Sequence, residues 1–407
     1  MKHSKPVALS SRIVLTFLLA SASLAAHDWP TWLGPNGDNI APDDGQFESD
    51  LNKWQIAWKA VVGQGYSAVT VAGERAYTLG HDGQSQETIY CLNAGSGDII
   101  WKHSYSAQLL PKMHPGGPNA SPTVTGNKVI TASKDGQVFC FPADDGAIRW
   151  RANLREVMSI ELPDWGFAST PVVHQGRVLF SAGKVAALDI ETGRAVWTSK
   201  TAYHPGYATP VVFESEGKEL IAAFDGKGIS ILSAMDGAEI SRSEHRAQYD
   251  LTATTPFVLE NGRRIFISAN LSGEMLGFDG RQLSPIWSSR DIRNNMNNGV
   301  IYDGVIYAID GKQSSSRDRF VAINLADGQL KWAREDFGYG TVIGVGTTLL
   351  ALTEPGELVT IKPSPERYEE ISRRPVLSKT CWTNPVYANG RIYLRNDAGD
   401  VLCLAVD

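Results

Sequence analysis

Seven residues of this chain carry side chains that could hold a ligand: Trp165, Tyr207, Asp250, Asn294, Asn297, Trp382 and Asn384. Oxygen donors such as Asp250, Asn294, Asn297 and Asn384 hold a hard cation only where several converge on one point. Rings such as Trp165, Tyr207 and Trp382 are flat apolar platforms, and with amides beside them they suit a sugar or a peptide. Each asparagine also has a plainer use, satisfying the backbone of its own turn. The eight histidines are a weaker ground for a metal, because none stand at i, i+2 or i, i+4. His81, His114 and His204 could be gathered only by folding. No Ser, His and Asp set can be singled out, since distant loops may supply such a set without any sequence spacing. No catalytic residue and no metal ligand is therefore assigned.

The four cysteines, Cys91, Cys140, Cys381 and Cys403, include no C-x-x-C pair and make no metal framework. Cys91 and Cys140 each lie ten residues before a tryptophan, where other segments have Ala187, Gly277 and Ala322. Cys403 reads as the same place near the C-terminus. A small apolar side chain in a tight gap explains them; a Cys381–Cys403 disulfide is the alternative in an exported chain.

The candidate ligand residues lie in polar and aromatic segments between short strands: Ser159 to Phe167, His204 to Tyr207, Gln248 to Thr254, Arg290 to Asn298 and Ser378 to Asn384, with Pro111 to Asn119 as a sixth. What positions them is a repeat. Trp101, Trp150, Trp197, Trp287 and Trp332 follow one another at 49, 47, 90 and 45 residues, and Ser241 fills the place vacant in the long step. A period of this size means a repeat architecture. Within one period, hairpin turns such as Gly126-Asn127, Lys134-Asp135-Gly136 and Asp144-Asp145-Gly146 separate four short alternating strands. Such a sheet cannot bury both faces alone, so copies stack around an axis as a propeller. The period predicts an all-β fold of eight blades, with seven as the alternative because the stretch from Thr341 to Arg373 lacks its tryptophan and carries Pro363 and Pro365. The segment Lys53 to Val62 is expected to pair in the last blade and close the ring, which removes an exposed edge. All six loops would then open on one face.

The outer halves of the repeats carry a recognisable pattern. Ala187 to Trp197 reads A-x-D-x-x-x-G-x-x-x-W, and Ala322 to Trp332 and Cys91 to Trp101 repeat it with Asn324 and Asn93 for the aspartate. This resembles the tryptophan-docking motif of quinoprotein propellers, which implies that the rings are structural spacers between blades. Over nearly its whole length the chain resembles the exported bacterial PQQ-binding-like β-propeller repeat proteins related to BamB. Asp28 to Asn36 is similar to their N-terminal signature, with Leu33 in place of a commonly basic residue, and Cys381 to Asn396 looks like their closing blade.

Residues 1–26 have the layout of a secretory signal: Lys2, Lys5 and Arg12, an apolar run from Ile13 to Ala20, then small residues to Ala26. The run is shorter than the roughly 20 residues of a membrane span. A periplasmic or secreted protein is expected, with residues 27–50 as a strap before one propeller domain over 51–407. The whole chain has formal net charge −6, so nucleic acid is excluded as a partner class for want of a basic patch.

Three functions fit. A non-catalytic, monomeric scaffold would bind protein or peptide through the loop face, as the BamB resemblance implies. A receptor for a glycan or small ligand would use the same funnel. A PQQ dehydrogenase with calcium, the third reading, lacks the adjacent cysteines that the quinoprotein resemblance would call for, so no cofactor is expected.

Overall fold

The computed structural model describes Met1, residues 27–311 and residues 318–406. The leader expected over residues 1–26 therefore lies, apart from Met1, outside the described residues. The rest forms eight antiparallel sheets around one axis, each with an innermost strand: Thr70–Ala72, Thr123–Thr125, Val172–His174, Val211–Ser215, Phe257–Leu259, Val300–Tyr302, Gly340–Val345 and Val386–Ala388. Blades are numbered one to eight in this order. The middle strands read as nearly unbroken apolar runs, Val305–Asp310 being buried at every position, because both faces of each sheet are covered by neighbours. The outer strands are more exposed, and Ile99–Ser106 alternates from Trp101 onward.

Closure comes from the two ends of the chain. Trp54–Val61 pairs antiparallel with Asp400–Val406 as the outer strand of blade eight. Blade seven is complete without its tryptophan: Gly340–Val345, Thr348–Thr353, Glu357–Lys362 and Glu369–Pro375 make four strands.

Docking tryptophans wedge the blades apart. The indole N–H of Trp101 donates to Ala143 O at 3.0 Å, that of Trp150 to Ile190 O at 2.9 Å, that of Trp287 to Leu325 O at 3.1 Å and that of Trp332 to Ser364 O at 2.8 Å. Glycine is required opposite the ring: a Cβ on Gly193 would stand 2.4 Å from a carbon of Trp150. Trp58 does the same work in blade eight, donating to Ala94 O at 3.0 Å. The sequence reading placed Trp58 in an outer strand without giving it this role. Ser241, in the vacant place, accepts from the backbone N–H of Leu283 at 2.9 Å. Trp197 departs from the set. Its indole nitrogen has no partner, and the corresponding carbonyl, Ala234 O, accepts from Arg177 at 2.8 Å.

Two expectations are corrected. All four cysteines are free and buried, so Cys381 and Cys403 form no disulfide. Cys91, Cys140 and Cys403 instead lie across from Trp101, Trp150 and Trp58 in the outer strand pairs. In blade five that place belongs to Met275 rather than Gly277, because the hairpin ladder before Trp287 runs on to Phe278 and Leu283 and so carries two more residues.

The strap is ordered and crosses the axis. The N–H and carbonyl of Trp29 both pair with Val71 of blade one, and Pro30 O accepts from Val124 of blade two. Ile40–Ala41 adds a parallel strand to the inner edge of Gly340–Val345 in blade seven. Asn39, fully buried, donates to Gly299 O at the entry of blade six and to Val342 O of blade seven. Blades two and six stand opposite each other in a ring of eight, so the strap spans the channel. It enters at the end where the innermost strands turn, with Gly73 donating to Asp28, Gly346 to Ala41 and Asn389 to His27, and Asn39 reaches along the channel to where the chain enters blade six.

Candidate functional site on the loop face

At the opposite end of the axis the chain enters each innermost strand from an inter-blade loop. There the sequence repeats a Ser or Thr before proline, as in Ser121-Pro122, Thr170-Pro171, Thr209-Pro210 and Thr255-Pro256. These residues tie each blade to the next: Ala68 N–H donates to Ser121 Oγ, Ser121 N–H to Thr170 Oγ1, and Thr170 N–H to Thr209 Oγ1. Proline suits the strand start because the inner edge needs no ladder donor from it. Farther round, Thr255 exchanges two hydrogen bonds with Asn298, and Thr341 donates to Thr383 O. The result is a polar collar around the axis.

Several predicted ligand residues belong to this collar. Asn294 is buried, and its amide donates to Ile309 O at 3.1 Å and to Asn297 Oδ1 at 3.3 Å. The Asn297 amide donates to Gly340 O of blade seven, and the Asn384 amide donates to Asn39 of the strap at 3.2 Å. Asp250 lies elsewhere, held by Lys227 at 2.7 Å with His204 at 3.8 Å. The amide N–H groups of Asn294, Asn297 and Asn384 therefore serve protein contacts, Asn384 Oδ1 is left without a partner, and Asp250 is paired apart from them with Lys227. They do not fit a quinone and calcium site of the kind sketched from the resemblance. Among the described residues no group of three or more His, Cys, Asp and Glu stands together as a metal site. His81 instead lies with Nδ1 3.0 Å from the Gly83 backbone N–H and Nε2 3.1 Å from Ala107 O.

The aromatic residues behave differently. Trp382 stacks on Tyr66 with ring centres 5.4 Å apart, Tyr66 meets His114 edge-on at 5.2 Å, and His114 stacks on Trp165 at 5.6 Å. Lys112 Nζ covers the Trp165 ring at 5.3 Å, and the Trp165 N–H donates to Tyr207 Oη at 3.4 Å. Trp165, Tyr207 and Trp382 thus join one cluster, built from the loops before blades one, two, three, four and eight. Glu354 accepts from the Trp382 indole at 2.9 Å and fixes that end. The rings stack on one another, so their faces are largely covered and their edges remain. Burial pushes the His114 imidazole down to about 4 and the Tyr207 hydroxyl up to about 12. The cluster is therefore neutral at ordinary pH. Met113 stands beside it, 81% exposed.

Tyr66 and the role of His114 were missed from sequence. Tyr66 sits in Gly63 to Tyr66, where the chain passes from the closing strand into blade one. Counting loops only between complete repeats skips that crossing. Its signal was an aromatic directly before the first innermost strand, as at Trp165.

Comparison with known proteins agrees with the architecture. A PQQ-type family profile described as outer membrane protein assembly factor BamB matches residues 85–334. The chain belongs to this family. It is 23% identical to the BamB of Yersinia pestis over 66% of this chain, and 27% identical to that of Bordetella pertussis over 63%. It spans only 61% and 58% of the lengths of these two curated relatives. Among solved structures, BamB from Moraxella catarrhalis superposes with TM-score 0.63 at 16% identity, covering 86% of this chain and 99% of that one. A europium-containing methanol dehydrogenase gives 0.73 at 10% identity, covering 93% and 98%. At such identities these superpositions speak for the family's fold and not for a shared chemistry.

Proposed function

We propose that this chain is an exported, non-catalytic propeller scaffold that holds protein partners on its loop face. The relatives' name, outer membrane protein assembly factor, supports a role in assembly rather than turnover. The observation that carries the reading is the half-buried cluster of Trp382, Tyr66, His114 and Trp165 beside the exposed Met113. Rigid aromatic anchors with adaptable apolar neighbours are the usual energetic centre of a protein interface. The strap spans the other end of the channel, which leaves the loop face as the open one. No helix among the described residues is long and apolar enough to cross a membrane.

Less supports the glycan receptor. A sugar needs free ring faces and free amides, whereas here the rings stack together and the amides of Asn294, Asn297 and Asn384 are engaged. The test is site-specific photo-crosslinking in the exporting cell. A crosslinker at Met113 should trap a defined protein, and one at Val196 on the outer rim should not. Equal capture at both positions, or none at Met113, refutes the reading.

A further inference from the structure

Beneath the aromatic cluster, between blades one and two, lies a set of ionisable groups that the proposed binding role does not use. Glu87 and Lys134 are both fully buried, and Glu87 Oε2 and Lys134 Nζ have no hydrogen-bond partner. The Tyr105 hydroxyl donates to the other Glu87 oxygen. Lys134 also carries the loop that holds Trp165: the Phe167 N–H donates to Lys134 O at 2.8 Å, and a Cβ on Gly166 would stand 2.3 Å from Lys134 Cγ. The loop cannot stay seated while the lysine side chain swings out to water, because the loop backbone is packed on that side chain.

We propose that Glu87 and Lys134 form a buried, pH-sensitive latch on the Trp165 loop and so set how firmly the aromatic cluster is held. The inference deepens the binding role of the loop face without depending on the partner's identity. A buried charge without a partner is costly, and lifting the loop relieves it by hydrating the group. The groups around Glu87 are Tyr105, His81 directly across the strand pair, Asp135, Lys134 and Arg395, and those around Lys134 are Glu87, Lys112 and His114. Burial raises the Glu87 carboxyl from 4.5 to about 8 and lowers the Lys134 ammonium from 10.5 to about 8. The raised carboxyl favours the seated loop below its free value, and that contribution is lost as pH rises from 4.5 through 8. The lowered ammonium favours the seated loop above its free value, and that contribution is lost as pH falls from 10.5 through 8. Both losses meet, so the seat is weakest near pH 8.

The experiment follows exchange of the Phe167 amide in the full chain without any partner, corrected for intrinsic exchange, from about pH 6.5 to about pH 10. This window lies above the range in which His114 charges. Protection should pass through a minimum near pH 8 and recover several-fold on either side. Lys134→Met should abolish the alkaline recovery alone, and Glu87→Gln the acidic recovery alone. A flat wild-type profile, or the same minimum at a core amide of blade five, overturns the latch. Should a variant fail to fold, carbon-13 titration of Glu87 and Lys134 in the wild type decides: transitions near 4.5 and 10.5 overturn it, and transitions near 8 uphold it. Because no partner is present, a failure here is distinct from a failure of the crosslinking test.

Discussion

The two ends of the propeller axis are built from similar residues and hold them in opposite ways. At the strap end, Trp29 is fully buried, the Gly73 N–H donates to Asp28 at 2.8 Å, and the Tyr387 hydroxyl donates to Asp44 at 2.8 Å. At the loop end, four rings are half-buried, and Lys134, Glu87 and the Tyr66 hydroxyl are buried without full pairing. Both ends hold buried polar atoms without a partner, Trp29 Nε1 and Asn389 Oδ1 at the strap, so the contrast lies in cover: the strap end is closed by the chain's own segment, whereas the loop end exposes apolar edges above an unpaired carboxyl and ammonium and is arranged for something else to arrive.

Substitutions can break this contrast. The largest effect is expected at the strap: Trp29→Ala should lower unfolding free energy by about 3–5 kcal/mol, as truncation of a buried ring does, without changing partner crosslinking at Met113. Urea denaturation measures it, and a silent substitution would mean that the strap is merely laid on the surface. Next, Trp165→Ala should weaken partner binding by about 2 kcal/mol, the size of an interface hot spot, with little change in melting temperature; titration calorimetry against the crosslinked partner reads it. Asn39→Ala should cost about 1–3 kcal/mol of stability by leaving carbonyls of blades six and seven without their donor, again read in urea. Acid separates the ends more gently. The His114 value is lowered by burial, so its contribution is present above 6.5 and lost as pH falls through about 4. Exchange protection of residues 107–119 should drop over that range while that of residues 28–41 holds. Smallest of all, PQQ with calcium should leave the melting temperature unmoved; a rise of several degrees would reopen the dehydrogenase reading.

Much of the fold was legible in the chain because a docking tryptophan imposes a local pattern: the glycine of the next turn and the spacing between rings are both fixed within one repeat. Trp101, Trp150, Trp287 and Trp332 could be read for that reason. Trp197 shows the limit, since it keeps the motif and the spacing, yet its indole nitrogen is left without the hydrogen bond that the others make. The candidate site was legible only by half. Trp165 and Trp382 come together through Tyr66 and His114, with Tyr207 joined to Trp165, and the Tyr66–Trp382 contact pairs residues a full circuit apart along the chain. Asn294, Asn297 and Asn384 have the composition of a ligand site and the placement of a collar, a difference that no amide reveals in sequence.

Period, turn chemistry and the apolar runs point to eight blades, because each blade is a local solution repeated, and the strand pairing from Gly340 to Pro375 decides against seven. Closure of the ring decides the rest: which loops become neighbours, which amides are already paired, and which carboxyl and ammonium are shut away from water. Those are long-range facts, since burial and field at Glu87 and Lys134 are set by residues from blades one, two and eight and not by their own strands.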